Sequence, residues 1–380
     1  MIKVFLIICL FVGISNADEF SSYLEKQTKK IQTTAQDINN SSNLYKEAYK
    51  KAFKDYSSNI KKNFPSVEIT NKNLWVQYKN KYTQKMILDF ANSKLIFQVV
   101  AFSEKHAQTQ ILKLYDDLYA FDIQKAFYND LFERKITKNL DKVLELPNEG
   151  QKLLSDMITK EEYQRIREQL ILKTFKKVKY NDKLVYRVKI NLPNTYNIQK
   201  AKLYKDYILA QSDKLNIEAS LIYAIIDVNS GFNPLSKSPS PSFGLMQITP
   251  SKIGLVSYKQ LTGYTKYLSS SYLFNTKNNI ELGTTYLKIL FYEELKDINN
   301  FKARWYCTIV GYKVGSTNLA KAFIKNGNIN DAIKVMNTMS SDQVYKRLMK
   351  KLPKAQTRKY FFKVNNLIKH YQKLLGTNKI

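Results

Sequence analysis

The chain has 380 residues, enough for two domains that each bury a core. Its 61 Lys and Arg face 32 Asp and Glu, a formal charge of +29, with the lysines spread along the whole sequence rather than gathered in one block. That balance fits an anionic partner, or simply a solvated basic surface; the two histidines (His106, His370) and two cysteines (Cys9, Cys307) argue against a histidine-built metal centre, a serine–histidine triad or a disulfide scaffold.

Residues 1–17 read as a cleaved secretory signal. Lys3 gives a positive start, residues 4–14 are a short apolar run, and Ser15, Asn16 and Ala17 form a small-x-small cleavage site before Asp18. Cys9 follows Ile8 inside the apolar run, not a small residue, which disfavours a lipid anchor. Export leaves Cys307 as the one cysteine, so no internal disulfide is expected, and it takes the chain away from nucleic acid. The expected location is the periplasm, with peripheral association to membrane or cell wall.

Residues 19–63 have helical spacing, ended by Pro65. From 74 to 100 the period falls to two: Val76, Tyr78, Met86, Leu88 and Phe90 alternate with polar neighbours, Asn92 and Ser93 mark a turn, and 95–99 is a further strand. Residues 105–178 return to helical spacing, broken at Pro147, Asn148, Glu149 and Gly150. Residues 183–190 predict another strand, and Leu192, Pro193 and Asn194 a linker. Beyond 200 the pattern is helical almost throughout, with helices over 202–214, 279–290, 304–312, 317–323 and 353–371. Residues 218–228 are apolar nearly all round and predict a buried central helix with Asn229 at its end. The expected fold class is α+β: an N-terminal domain of mixed helix and small antiparallel sheet over 18–193, then a mainly α domain over 194–380.

After Asn229 come Ser230, Phe232, Asn233 and Pro234, and a short loop later Gly244, Leu245, Met246 and Gln247. This segment resembles the active-site segment of the lytic transglycosylases. Asn279, Ile280, Leu282, Gly283, Tyr286 and Leu287 resemble their N-I-x-x-G-x-x-Y-L helix, and residues 309–315 their A-Y-N-x-G loop. Residues 339–347, with Thr357, Arg358, Lys359, Tyr360 and Val364, are similar to the C-terminal pattern of the murein transglycosylase C group. Trp75 to Tyr78 and Asp89 to Asn92 extend that likeness into the N-terminal half. The resemblance implies a lysozyme-like helical domain with a glycan groove. Its substrate would be peptidoglycan glycan strands, cut between N-acetylmuramic acid and N-acetylglucosamine to a 1,6-anhydro product. One glutamate would protonate the glycosidic oxygen and then help remove the proton of the C6 hydroxyl, with no cofactor and no metal.

The sequence departs from that pattern at its centre. Asn229 occupies the position of the family glutamate, and an amide has no titratable proton near neutral pH. Losing general acid–base help costs about 10² to 10⁴ in rate. Asp227 should point roughly 200° away around the helix, and Glu281 lies on another helix. The asparagine expected after Tyr312 is Lys313, and Val314 and Ser316 depart from a glycine-rich loop. The same resemblance implies that Ser238, Met246, Gln247, Tyr312 and Tyr360 line the substrate site, with the Met246 thioether against a sugar face and the Gln247 amide on an acetamido group or hydroxyl. Two functions stay open: a relative that binds glycan strands with little or no cleavage, and an active transglycosylase using another acid. A basic membrane-surface protein rests on charge alone.

Overall fold

The computed structural model describes residues 17–140 and 150–380. The expected leader, apart from Ala17, lies outside the described residues, as do Pro147, Asn148 and Glu149 of the expected break.

Helix α1 (Ala17–Lys61) presents Tyr45, Ala48, Tyr49, Ala52, Tyr56 and Ile60 as a buried stripe. The spacing of three and four residues keeps these side chains on one face. A meander follows, β1 (Leu74–Lys79), β2 (Gln84–Asp89) and β3 (Lys94–Val100), as the period-two pattern predicts. These strands are buried on both faces, where alternation would leave one face wet. Strand register puts Tyr78, Lys85 and Gln98 on one face and Gln77, Met86 and Phe97 on the other. The Tyr78 ring meets Tyr56 of α1, whereas the Phe97 ring meets Tyr115 of α2 (Glu104–Ala120), so helices cover both sides.

Short helices α3 (Ile123–Tyr128) and α4 (Leu131–Asn139) and then α5 (Lys160–Leu172) complete this half. The helical reading of 105–178 fails at its end. Residues Lys176–Tyr180 are strand β4, hairpinned to β5 (Lys183–Asn191), and the sheet order is β1-β2-β3-β5-β4, all antiparallel. Asn181 and Asp182, both at positive φ, form the turn. The lysines of β4 hid it: an edge strand needs no apolar face, and charge guards it against pairing with other chains.

The C-terminal half is helical. The helix expected over 202–214 is α7 (Lys205–Leu215), preceded by a short α6 (Tyr196–Lys202); Tyr204 between them is buried, and its hydroxyl accepts a bond from Gln151 Nε2 at 2.9 Å. Central helix α8 (Ala219–Ser230) is buried nearly all round and packs on α7 and on the last helix. A π-helical turn (Pro250–Gly254) leads into α9 (Leu255–Thr262), followed by α10 (Ser270–Phe274) and α11 (Thr276–Ile289). A second π turn (Leu290–Glu294) precedes α12 (Phe301–Val314), α13 (Ser316–Ala320), α14 (Ile329–Asn337), α15 (Ser341–Lys351) and α16 (Ala355–Gly376). Among the described residues no helix is long and apolar enough to cross a membrane.

Candidate active site

Helix α8 stops because Gly231 takes a left-handed conformation, φ +60°. Its α-carbon faces the backbone of Phe90 and Ala91, where an added Cβ would meet atoms at 3.6 Å. The turn between β2 and β3 therefore docks on the end of the central helix. Asn71 and Lys72, just before β1, are stitched to the same loop: Asn233 Nδ2 donates to the Asn71 carbonyl at 3.3 Å, and Ser236 Oγ to that of Lys72 at 3.2 Å. Lys72 Nζ in turn donates to the Val228 carbonyl at 3.0 Å, one residue before Asn229. The N-terminal half thus forms part of the site.

The Gly244–Gln247 turn is clasped from α11. Asn279 Nδ2 donates to the carbonyls of Phe243 (2.9 Å) and Leu273 (2.6 Å), and its Oδ1 accepts from the Met246 amide at 2.8 Å. Gly244 has φ +73°, and a Cβ there would fall 2.3 Å from Asn279 Nδ2. A Cβ on Gly283 would fall 2.3 Å from Met246 Sδ, so that glycine makes room for the methionine. This corrects the expectation for Met246. Its side chain has 0% exposure and belongs to the core, so the thioether cannot lie against a sugar. Its carbonyl is what matters at the site, accepting from Asn229 Nδ2 at 3.2 Å and from the Tyr312 hydroxyl at 2.9 Å.

Asn229 is only 3% exposed, yet it lines a groove of about 750 Å³ together with Ser238, Gln247 and Tyr312. The Gln247 amide is committed to the loop itself: Nε2 donates to the Ser236 carbonyl (3.2 Å), Ser236 Oγ (2.9 Å) and the Gly244 carbonyl (3.0 Å), and Oε1 accepts from Ser242 Oγ at 2.9 Å. A sugar would have to displace one of these bonds. Ser238 Oγ donates to the Ser240 carbonyl and shares a 2.9 Å contact with Ser242 Oγ. Tyr360 is not on the groove wall. It is buried beneath Lys313, whose Nζ stands 5.1 Å from the ring centroid. Burial raises the Tyr360 hydroxyl above the usual tyrosine range, opposed by the neighbouring Asn229 amide. Burial likewise raises the Tyr312 hydroxyl, with Tyr360 and Tyr286 adding to the effect.

Among the described residues the groove wall carries Lys46, Lys72, Lys252, Lys313 and Lys354 and no aspartate or glutamate. Asp227 accepts a 2.8 Å bond from the Tyr371 hydroxyl on the other side of α8, and Glu281 pairs with Lys214 at 3.0 Å. Lys72 is lowered from the ordinary lysine value by burial and then by Lys363, against the pull of Asp227. Lys313 is lowered by burial and then by Lys72. Among the described residues no group of three or more His, Cys, Asp or Glu is placed to hold a metal.

Sequence reasoning missed Lys72, whose signal was only an Asn-Lys-Asn turn before β1. It also missed Lys237, fully buried in the loop after Pro234 and bonded to Asp130 Oδ2 (2.7 Å) and Glu133 Oε2 (3.1 Å) of α4 and its cap. No local pattern announces a pairing across a hundred residues.

Residues 206–335 match the family model described as the Transglycosylase SLT domain. The chain is 34% identical over 189 residues to the membrane-bound lytic murein transglycosylase C of Sodalis glossinidius, and 36% identical over 188 residues to that of Photorhabdus laumondii. Each alignment covers 50% of this chain and 52% of the relative, so the chain spans about half the length of the curated relatives it matches. Solved structures similar to it include an inactive mutant of lytic transglycosylase Slt from Pseudomonas aeruginosa (14% identity, TM-score 0.37, covering 70% of this chain and 37% of that one) and the 70 kDa soluble lytic transglycosylase of Escherichia coli (16% identity, TM-score 0.36, covering 72% and 44%).

Proposed function

We propose that this protein binds peptidoglycan glycan strands in the groove beside Asn229 and cleaves them little or not at all. In this proposal residues 18–193 form the N-terminal domain, 194–380 the transglycosylase-like domain, and removal of a leader after Ala17 delivers the chain to the periplasm. Asn229 then stands where the family holds its acid and base. The observation that carries the proposal is the composition of the groove wall, which among the described residues holds five lysines and no carboxylate. Asp227 and Glu281, the two acids that sequence position brings into question, are engaged elsewhere by Tyr371 and Lys214. Without a proton donor the glycosidic oxygen leaves as a poor leaving group, and the C6 hydroxyl has no base.

The experiment uses isolated sacculi in two assays. The protein should sediment with them at low salt, less so as salt rises, because screening weakens the lysine contribution and leaves hydrogen bonding in place. Digests should contain no anhydro-muropeptides above background. Absence of sedimentation at low salt would overturn the binding role. Release of anhydro-muropeptides at the rate of an active transglycosylase would overturn the silent role and put another acid in the cleft.

A further inference from the structure

We propose that the groove selects glycan strands bearing free carboxylates and holds one such carboxylate between Lys72 and Lys313, next to Asn229. The inference rests on the glycan-binding role above and deepens it. The two cations reach one place from opposite halves of the molecule. Lys72 precedes β1 and is fixed by its bond to the Val228 carbonyl, which leaves two of its three N–H groups for a ligand. Lys313 ends α12 and lies over the Tyr360 ring. Both lysines line the same groove wall as Asn229, and Lys72 is among the charges that lower Lys313.

Among the described residues neither lysine has an ion-pair partner, and neither do Lys46, Lys252 or Lys354 on the same wall. Other lysines of this chain do find carboxylates: Lys237 has two and Lys214 one. A concave wall of one sign concentrates the field and draws in counter-charge. A neutral sugar offers hydroxyls and acetamido groups, which satisfy hydrogen bonds but leave two neighbouring cations uncompensated. A carboxylate compensates both and gains charge-assisted hydrogen bonds. Peptidoglycan supplies that group in two ways, as the lactyl carboxylate of a strand stripped of its peptides or as the acidic groups of a stem peptide.

The test measures affinity of the leaderless protein for three probes at low salt: a neutral N-acetylglucosamine oligomer, a peptide-free strand with free lactyl carboxylates, and a peptide-bearing strand. At least one carboxylate-bearing strand should bind about tenfold or more tightly than the neutral oligomer, and which one binds better identifies the source. Lys72→Gln and Lys313→Asn should each shrink that preference by a larger factor than they change the affinity for the neutral oligomer. Lys177→Gln, on the exposed edge strand β4, should leave it intact. Equal affinity for neutral and charged probes would overturn the inference while sparing glycan binding. So would a preference that survives both groove variants, or one that Lys177→Gln reduces equally. Failure of all three probes to bind would overturn the glycan-binding role itself.

Discussion

Restoring a carboxyl at Asn229 should recover little activity by itself, and the groove charges say how little. Asn229 is 3% exposed and gives its amide proton to the Met246 carbonyl. A glutamate there keeps that bond only when protonated. Burial and the carbonyl acceptor therefore raise its pKa, while Lys72 and Lys313 lower it. If these balance near the ordinary glutamate value of about 4.3, roughly one molecule in 500 carries the acid proton at pH 7. Of the 10² to 10⁴ that general acid–base help typically supplies, about 500-fold is then forfeited. Asn229→Glu should thus release anhydro-muropeptides from sacculi within about tenfold of the parent at pH 7, and faster as the pH falls towards 5, where roughly one molecule in six is protonated. Adding Lys313→Asn removes one cation and should raise the pH 7 rate by about tenfold or more, since one pKa unit is worth about 1.4 kcal/mol. Mass-resolved digests read all three proteins. If the double variant equals the single one, Lys313 does not control the site. If the parent already cleaves at transglycosylase rates and Asn229→Ala leaves that rate unchanged, the acid lies elsewhere.

Three further outcomes are expected. Gly244→Ala should cost at least about 3 kcal/mol in denaturant unfolding, because its Cβ would strike Asn279 Nδ2 at 2.3 Å on a backbone already at φ +73°; a loss below about 1 kcal/mol would mean that the Asn279 clasp gives way. Lys237→Met should destabilise by about 3–5 kcal/mol by stranding Asp130 and Glu133, and adding Asp130→Asn with Glu133→Gln should restore much of it; no recovery would place the effect in packing rather than charge. Burial pushes Lys200 down to about 8 against the pull of Asp227 and Asp89, while its Nζ donates to the Phe90 carbonyl. Its unfolded value is near 10.4, so between about pH 8 and 10.4 the unfolded chain binds more protons and this group makes stability rise with pH. Comparing unfolding of the parent with Lys200→Met across that window isolates the contribution; identical pH slopes would exclude it.

What the sequence disclosed were features that repeat locally. The helical spacing of 19–63 and the meander through Asn92 and Ser93 follow from spacings of a few residues, and the apolar run of 218–228 predicts a buried helix. Strand β4 escaped because an edge strand full of lysines has no period to show. Short helix α6 escaped because the Tyr204 that follows it, turned inward to the Phe232 carbonyl, looks in sequence like any apolar helical position. Met246 was placed on the groove because its motif lies there, yet the space left by Gly283, a helix away, takes the side chain inward and leaves only the carbonyl at the site. Position in a motif says which backbone approaches a site, and partners far along the chain decide which atoms face it.

Lys72 carries the same point into function. Its bond to the Val228 carbonyl spans 156 residues, so nothing near Asn229 in sequence announces it. Once it is in place, the two departures at the site depend on each other. A glutamate at 229 beside Lys72 and Lys313 would be mostly ionised at pH 7 and seldom hold the proton to donate, whereas a neutral asparagine sits there with its amide bonded to Met246. The cations that disfavour an internal acid are the ones left free to receive a carboxylate from outside. On the proposed reading, an amide at 229 and a lysine at 313 form one electrostatic arrangement that would retain an acidic strand rather than cut it. For the same reason Lys313→Asn in the parent background should weaken capture of carboxylate-bearing strands without creating cleavage, because among the described residues the groove wall with one lysine fewer still carries no acid. Anhydro-muropeptides appearing in that variant alone would show that an acid had been present and suppressed.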